Sequence, residues 1–296
     1  MKIPNFFIVG APKCGTTAMN NYLNQHPDVY MAHKELHYFG NDLQVKNRIS
    51  EQEYLQHFQN ATNEKIIGEA SVWYLFSVTT AKEIKDFSPD AKVLIMLRNP
   101  VDVLYSLHRQ HLYDGNEDVI DFQSALALDD ERKAGRNLAK SVDFLKVPFY
   151  KDSVLFSNQV QRYLDVFGRQ NVHIILYEDF AKETEKTVQG VFKFLGIDTQ
   201  APIKYNLVNP NKKIKSFYLH RLMKHPPRAV KKIVRIVMPV RRMRHIIMSF
   251  LFKRNITEKK REEMNPEIRS SLKQFFTNDV RSLGGLINRD LSAWLR

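Results

Sequence analysis

The residues most plainly arranged for chemistry stand near the N-terminus, where Phe6-Phe7-Ile8-Val9 runs into Gly10-Ala11-Pro12-Lys13-Cys14-Gly15-Thr16-Thr17. Two glycines with four residues between them, set between a strand and a helix, open a phosphate-binding loop. In such a loop successive backbone N–H groups and the positive helix end converge on one anion. An ordinary strand-to-helix turn could carry the glycines alone. Lys13 inside the loop and the hydroxyls of Thr16 and Thr17 at the helix start favour the anion. A nucleotide hydrolase would close its loop on Gly-Lys-Ser/Thr, with the hydroxyl on Mg²⁺. Here the loop closes on Gly15-Thr16-Thr17 and the lysine has moved forward. The run Lys92 to Leu97 ends on Arg98, not on the acidic residue that would hold magnesium. Lysine, arginine and hydroxyls therefore face anionic oxygens with no metal expected. Arg98 falls at a strand's C-terminal edge, and Ser106 two turns into the next helix. Charge-assisted contacts of this kind contribute about 1.5–3 kcal/mol each, enough to choose between nucleotides.

The elements that must position these residues follow from periodicity. The first two-thirds of the chain alternates short apolar runs with helical patterns, which predicts a parallel sheet of βαβ units. Phe6–Val9, Ile66–Glu69, Lys92–Leu97 and Val172–Tyr177 read as strands. Helices are expected from Thr16 to about Gln25, from Pro100 through about His111 and from about Ala181 to Leu195, the last closed by Gly196. Ser153 to Phe167 has helical spacing, and the polar segment 112–150 reads as a surface excursion with a helical piece. From Asn206 the composition turns basic, with helices broken at Pro226-Pro227 and Pro239. The end, Ile268 to Leu283 and Leu291 to Leu295, reads as a docked helix pair. One domain over 1–296 is expected: a 1–205 α/β core with a P-loop-like central parallel sheet flanked by helices, and a basic helical C-terminal extension over 206–296.

Composition narrows the partners. The net charge of +13 favours anionic ones, and much of the excess lies between Lys212 and Arg261. One cysteine, Cys14, excludes an internal disulfide framework and a four-cysteine metal site, and fits a reducing cytoplasm. The basic segment Lys224 to Arg254 interleaves cations with apolar residues. Solvated cationic faces on packed helices are its ordinary meaning; peripheral contact with the inner membrane surface or a track for an anionic glycan are the sharper ones. No stacking array of aromatics accompanies it, so nucleic acid is not expected.

Phe7 to Thr17 resembles the 5′-phosphosulfate loop of sulfotransferases that use 3′-phosphoadenosine-5′-phosphosulfate (PAPS). The resemblance implies that Lys13 contacts the phosphosulfate and stabilises the leaving group. It assigns the 5′-phosphate to Thr16, Thr17 and the N–H groups of Cys14 and Gly15. Leu97-Arg98-Asn99-Pro100 with Ser106 is similar to the family's 3′-phosphate site. Gly68-Glu69-Ala70-Ser71, Ile175 to Phe180, Asn209 to Ser216 and Asp279 to Trp294 also look family-like, so the likeness spans nearly the whole chain. Lys213, Lys215 or Ser216 is expected on the 3′-phosphate side. The product left behind would be 3′-phosphoadenosine-5′-phosphate (PAP).

An acceptor hydroxyl must lose its proton as the S–O bond forms, so a general base is expected beside the sulfuryl group. His33-Lys34-Glu35-Leu36-His37-Tyr38-Phe39 is similar to the Lys-Glu-x-x-Phe-Phe segment of glycosaminoglycan sulfotransferases, whose glutamate is the base. That likeness makes Glu35 the base and Lys34 a cationic contact, with His37 as the alternative. His108 and His111 read as packing or surface histidines. The expected acceptor is a hydroxyl or amine on a saccharide or glycolipid, and an anionic one suits the charge. The competing readings are a P-loop nucleotide or small-molecule kinase and a basic membrane- or nucleic-acid-binding protein on the same fold. Gly15-Thr16-Thr17 and the missing metal carboxylate argue against the kinase.

Overall fold

Strands with no polar face need cover on both sides, and a parallel sheet between helices provides it. The computed structural model describes residues 2–46, 48–138, 149–206, 212–214, 216, 234, 243, 247, 248, 250, 254–258 and 263–296, with the backbone alone at 212–214 and 256–258. Its main sheet comprises β1 (Phe6–Gly10), β2 (Val29–Met31), β3 (Ile66–Ala70), β4 (Lys92–Leu97) and β5 (Val172–Leu176). Their order is β2-β3-β1-β4-β5, and every pairing is parallel. All residues of β1 and β3, and all but the first of β4, are buried. The fold is a P-loop-like central parallel sheet flanked by helices.

Helices α1 (Thr16–Leu23), α2 (Glu51–Gln56), α3 (Thr80–Phe87), α4 (Pro100–Asp114), α5 (Phe122–Ala127), α6 (Asp129–Lys133), α7 (Tyr150–Ser153), α8 (Phe156–Phe167), α9 (Tyr177–Lys182) and α10 (Thr184–Leu195) connect and cover the strands. Near the end α11 (Pro266–Ile287) packs against α8 and α4. After β1 the chain crosses to β2, on the β3 side of the sheet, and after β4 it crosses to β5, on the other side. These connections diverge between β1 and β4, opening a crevice at the strands' C-terminal ends, where open α/β sheets bind ligands.

Several elements differ from the sequence expectation, each for a physical reason. β2 was not foreseen because three residues are too few to show alternation. Tyr177 begins α9 instead of ending β5, and the expected helix 181–195 is interrupted at Glu183, whose non-helical backbone separates α9 from α10. The terminal pair is one 22-residue helix followed by a single 3-10 turn at Ser292–Trp294. The excursion after α4 is anchored inside the molecule. Arg132 donates from both terminal nitrogens to Glu117 at 2.7 Å, and Tyr150 donates to the same carboxylate at 2.8 Å. A polar sequence concealed this pair, because either residue alone would be left exposed. In the basic extension, β6 (Lys212–Ile214) pairs antiparallel with β7 (Ile256–Glu258). Most of the helices expected there lie outside the described residues.

Candidate active site

The loop after β1 turns into α1 at Gly15, whose φ of 91° only glycine adopts without strain. A Cβ there would also meet Phe180 at 3.1 Å and Tyr177 at 3.3 Å. Gly15→Ala should therefore lower stability by about 1–3 kcal/mol, read as a drop in Tm. No side chain caps α1 and no acid lies in its first turn. Its leading N–H groups have no intrahelical partner, and the helix field there favours an anion. Buried Thr16 and half-buried Thr17 present their hydroxyls at this end, and Lys34 Nζ lies 3.2 Å from each.

Cys14 is fully buried beneath the loop, and burial pushes its thiol far above the usual value, so it stays protonated. Its possible part in anion binding is its backbone N–H, not its sulfur. Lys13 has a φ of 65° and donates to Gln110 Oε1 at 3.0 Å, while Gln110 donates to Asp114 at 2.7 Å. Arg98 leaves the end of β4 with its guanidinium 4.4 Å from the Tyr177 ring centre and 3.9 Å from Asp102. Asp102 also accepts from Arg269 of α11 at 2.7 Å. Asp102, Ser106, Gln110 and Asp114 follow one another at four-residue spacing on α4, which places them on one helix face. That face holds partners of Arg98 and of Lys13, with buried Ser106 between them.

The third component arrives from the loop after β2. Glu35 and His37 both take left-handed backbone, with φ of 64° and 48°. Such conformations cost about 1–3 kcal/mol each and persist only where surrounding structure enforces them. Glu35 N donates to Ala70 O at 2.8 Å, so the loop is pinned to the end of β3. Glu35 Oε2 lies 3.0 Å from His37 Nε2 and accepts from Val72 N at 3.1 Å, and Oε1 lies 3.1 Å from Lys34 Nζ. A carboxylate only accepts, so His37 holds its proton on Nε2. Burial raises the Glu35 carboxyl, but the bond from His37 and the charge of Lys34 outweigh it and hold the group below the usual carboxylate range. The side chain is still 37% exposed. At neutral pH this is an ionised, oriented carboxylate that shares Lys34 with the hydroxyls of Thr16 and Thr17.

Residues 4–285 match the family model described as the sulfotransferase domain. The chain belongs to the sulfotransferase family. It is similar over 100% of both chains to a crystal structure of a sulfotransferase from Alicyclobacillus acidocaldarius, at 33% identity and a TM-score of 0.74. Carbohydrate sulfotransferase 15 of Rattus norvegicus is 29% identical over 249 residues, covering 66% of this chain and 44% of that protein. Heparan sulfate glucosamine 3-O-sulfotransferase 5 of Mus musculus is 26% identical over 209 residues, covering 70% of this chain and 57% of that protein. The chain thus spans about half the length of these curated relatives.

In this sulfotransferase the loop residues Lys13 to Thr17, Arg98, Ser106, Glu35 and His37 gather around the C-terminal ends of β1, β3 and β4. Glu35 and His37, read as alternatives from the sequence, are joined by a hydrogen bond. The described bonds of Ser216 tie its backbone to the Asn255 side chain at 3.0 Å. Lys213 is described by its backbone within β6, and Lys215 lies outside the described residues. His108 and His111 are buried packing groups; burial lowers both, His111 to about 3. Sequence reasoning missed Gln110 and the ring of Tyr177. Gln110 had a legible signal, four residues beyond Ser106 on the same helix face; Tyr177 had none.

Proposed function

We propose that this sulfotransferase moves a sulfuryl group from PAPS to a hydroxyl or amine on a saccharide, by inline displacement with Glu35 as general base. The observation that carries the reading is Lys34, whose Nζ reaches both Thr16 and Thr17 at 3.2 Å and Glu35 at 3.1 Å. One cation thereby links the phosphate cradle to a carboxylate base. Bound PAPS would supply a sulfuryl group on a good leaving group. The uncapped start of α1, Thr16 and Thr17 suit its 5′-phosphate; Arg98 and Ser106 suit the 3′-phosphate. Glu35 Oε2 already takes the Val72 N–H and His37 Nε2, whereas Oε1 has Lys34. Oε1 therefore keeps a lone pair for the acceptor proton. As the acceptor oxygen bonds to sulfur, that proton passes to Glu35 and the bond from sulfur to the 5′-phosphate oxygen breaks. Lys13 is placed to stabilise the charge left on that oxygen. Support for a carbohydrate acceptor comes from the two relatives named above, both sulfotransferases of saccharides by name.

Calorimetry with PAP, and separately with ATP and Mg²⁺, tests the donor. Tight PAP binding without Mg²⁺ is expected, and preference for ATP–Mg²⁺ would overturn the reading. Arg98→Ala should weaken PAP by roughly 10–100-fold, since a charge-assisted contact contributes about 1.5–3 kcal/mol. A screen of saccharides with labelled PAPS identifies the acceptor.

A further inference from the structure

The segment Gly68-Glu69-Ala70-Ser71 ends the interior strand β3 and contains a carboxylate with no solvent access at all. Glu69 is 0% exposed and is held by three hydroxyls. Tyr54 donates to Oε1 at 2.7 Å, Tyr74 donates to the same oxygen at 3.1 Å, and Ser71 donates to Oε2 at 2.9 Å. Two of these hydroxyls also face the base-bearing loop. Ser71 Oγ accepts the His37 N–H at 3.1 Å, and Tyr74 Oη accepts the Phe39 N–H at 3.2 Å. A hydroxyl has one proton and two lone pairs. With the proton committed to Glu69, the lone pairs of Ser71 and Tyr74 are directed at the loop. The anchored residues, His37 and Phe39, lie at the end of the strained stretch and just beyond it, since Glu35 and His37 carry the positive φ angles.

We propose that Glu69 is a positioning residue for sulfuryl transfer: by fixing the Ser71 and Tyr74 hydroxyls it holds residues 35–39 in the conformation that presents Glu35 to the acceptor. The proposal rests on Glu35 being the base. An apolar core would keep β3 buried without a carboxylate, and burying a charge is costly unless it is fully hydrogen-bonded. The arrangement satisfies that charge with three hydroxyls, two of which, on Ser71 and Tyr74, serve a second partner in the loop. The groups facing Glu69 are Tyr54 from α2, Ser71 and Tyr74 from the segment after β3, and His37 from the loop. Burial raises the Glu69 carboxyl to about 7, against the bonds from Tyr54, Ser71 and Tyr74 and the charge of His37. The anchor is therefore fully formed only when Glu69 is ionised, above that value, and weakens as pH falls through it.

Glu69→Gln and Ser71→Ala, made in the full chain with Glu35→Gln alongside, test this. Both should cut kcat at least about tenfold while the Kd for PAP, measured by calorimetry, stays within about twofold. The wild-type kcat should show an acid limb near pH 7 that Glu69→Gln lacks. A kcat near the wild-type value in both variants, beside a slow Glu35→Gln, would overturn the positioning role alone. So would a PAP affinity that falls in step with kcat, because that pattern reports general loosening. Wild-type turnover in Glu35→Gln would overturn the base assignment and this proposal with it. Ser71→Ala removes one hydroxyl without adding volume, and it decides the matter if Glu69→Gln does not fold.

Discussion

Glu35→Gln should lower turnover by roughly 10²–10⁴-fold while leaving PAP affinity nearly unchanged, the range over which a positioned general base contributes. Glutamine keeps the size of the side chain and a carbonyl oxygen for the Val72 N–H and for His37 Nε2, so the loop should stay in place. What it lacks is a basic oxygen for the acceptor proton. The pH profile gives an independent check. His37 and Lys34 hold the Glu35 carboxyl below its usual value against the opposing effect of burial. This base therefore stays ionised above the ordinary glutamate range near about 4.3 and is lost only as pH falls through its lowered value. Its own acid limb should lie below that of a free glutamate. Turnover unchanged in Glu35→Gln would shift the role to His37, whose Nε2 lies 3.0 Å from the same carboxylate.

Lys13→Ala should lower turnover by roughly 10²–10³-fold, the cost of removing one preorganised donor from a site of developing charge. Its effect on PAP binding should be smaller, because the start of α1, Thr16, Thr17, Arg98 and Ser106 remain. Interactions that strengthen only in the transition state act on kcat and leave ground-state binding nearly alone. Without donor, Lys13 Nζ rests on Gln110 Oε1 at 3.0 Å, and Gln110 is steadied by Asp114 at 2.7 Å. Exchanging this bond for the phosphosulfate requires only side-chain rotation. Steady-state kinetics paired with PAP calorimetry separates the two effects; an equal loss in both would show that Lys13 serves binding alone.

The loop proposed to hold the phosphosulfate was legible in the sequence because its chemistry is local. Gly10, Lys13, Gly15, Thr16 and Thr17 are contiguous, and a strand before them with a helix after them fixes their geometry. β4 was equally readable as an unbroken apolar run, and Arg98 follows it directly. The proposed base was harder to read. Glu35 and His37 are two residues apart, a spacing that sends side chains to one side of an extended strand. They meet here because both residues take left-handed backbone. That conformation is enforced from outside the segment, by Ala70, Ser71, Val72 and Tyr74.

The sequence by itself determined that a loop carrying Lys13, Thr16 and Thr17 joins a buried strand to the start of α1, that Arg98 follows β4 directly, and that the sheet beneath is parallel and covered on both sides. These follow from contiguous residues and from hydrophobic period. Only the tertiary structure decided that Lys34 joins the Thr16–Thr17 hydroxyls to Glu35, that Gln110 holds Lys13, and that buried Glu69 underlies the base loop. The contacts of Lys34 with Thr16 and Thr17, of Lys13 with Gln110 and of His37 with Ser71 join different elements of the chain, and strand order, which brings β3 and β4 to either side of β1, creates the proximity.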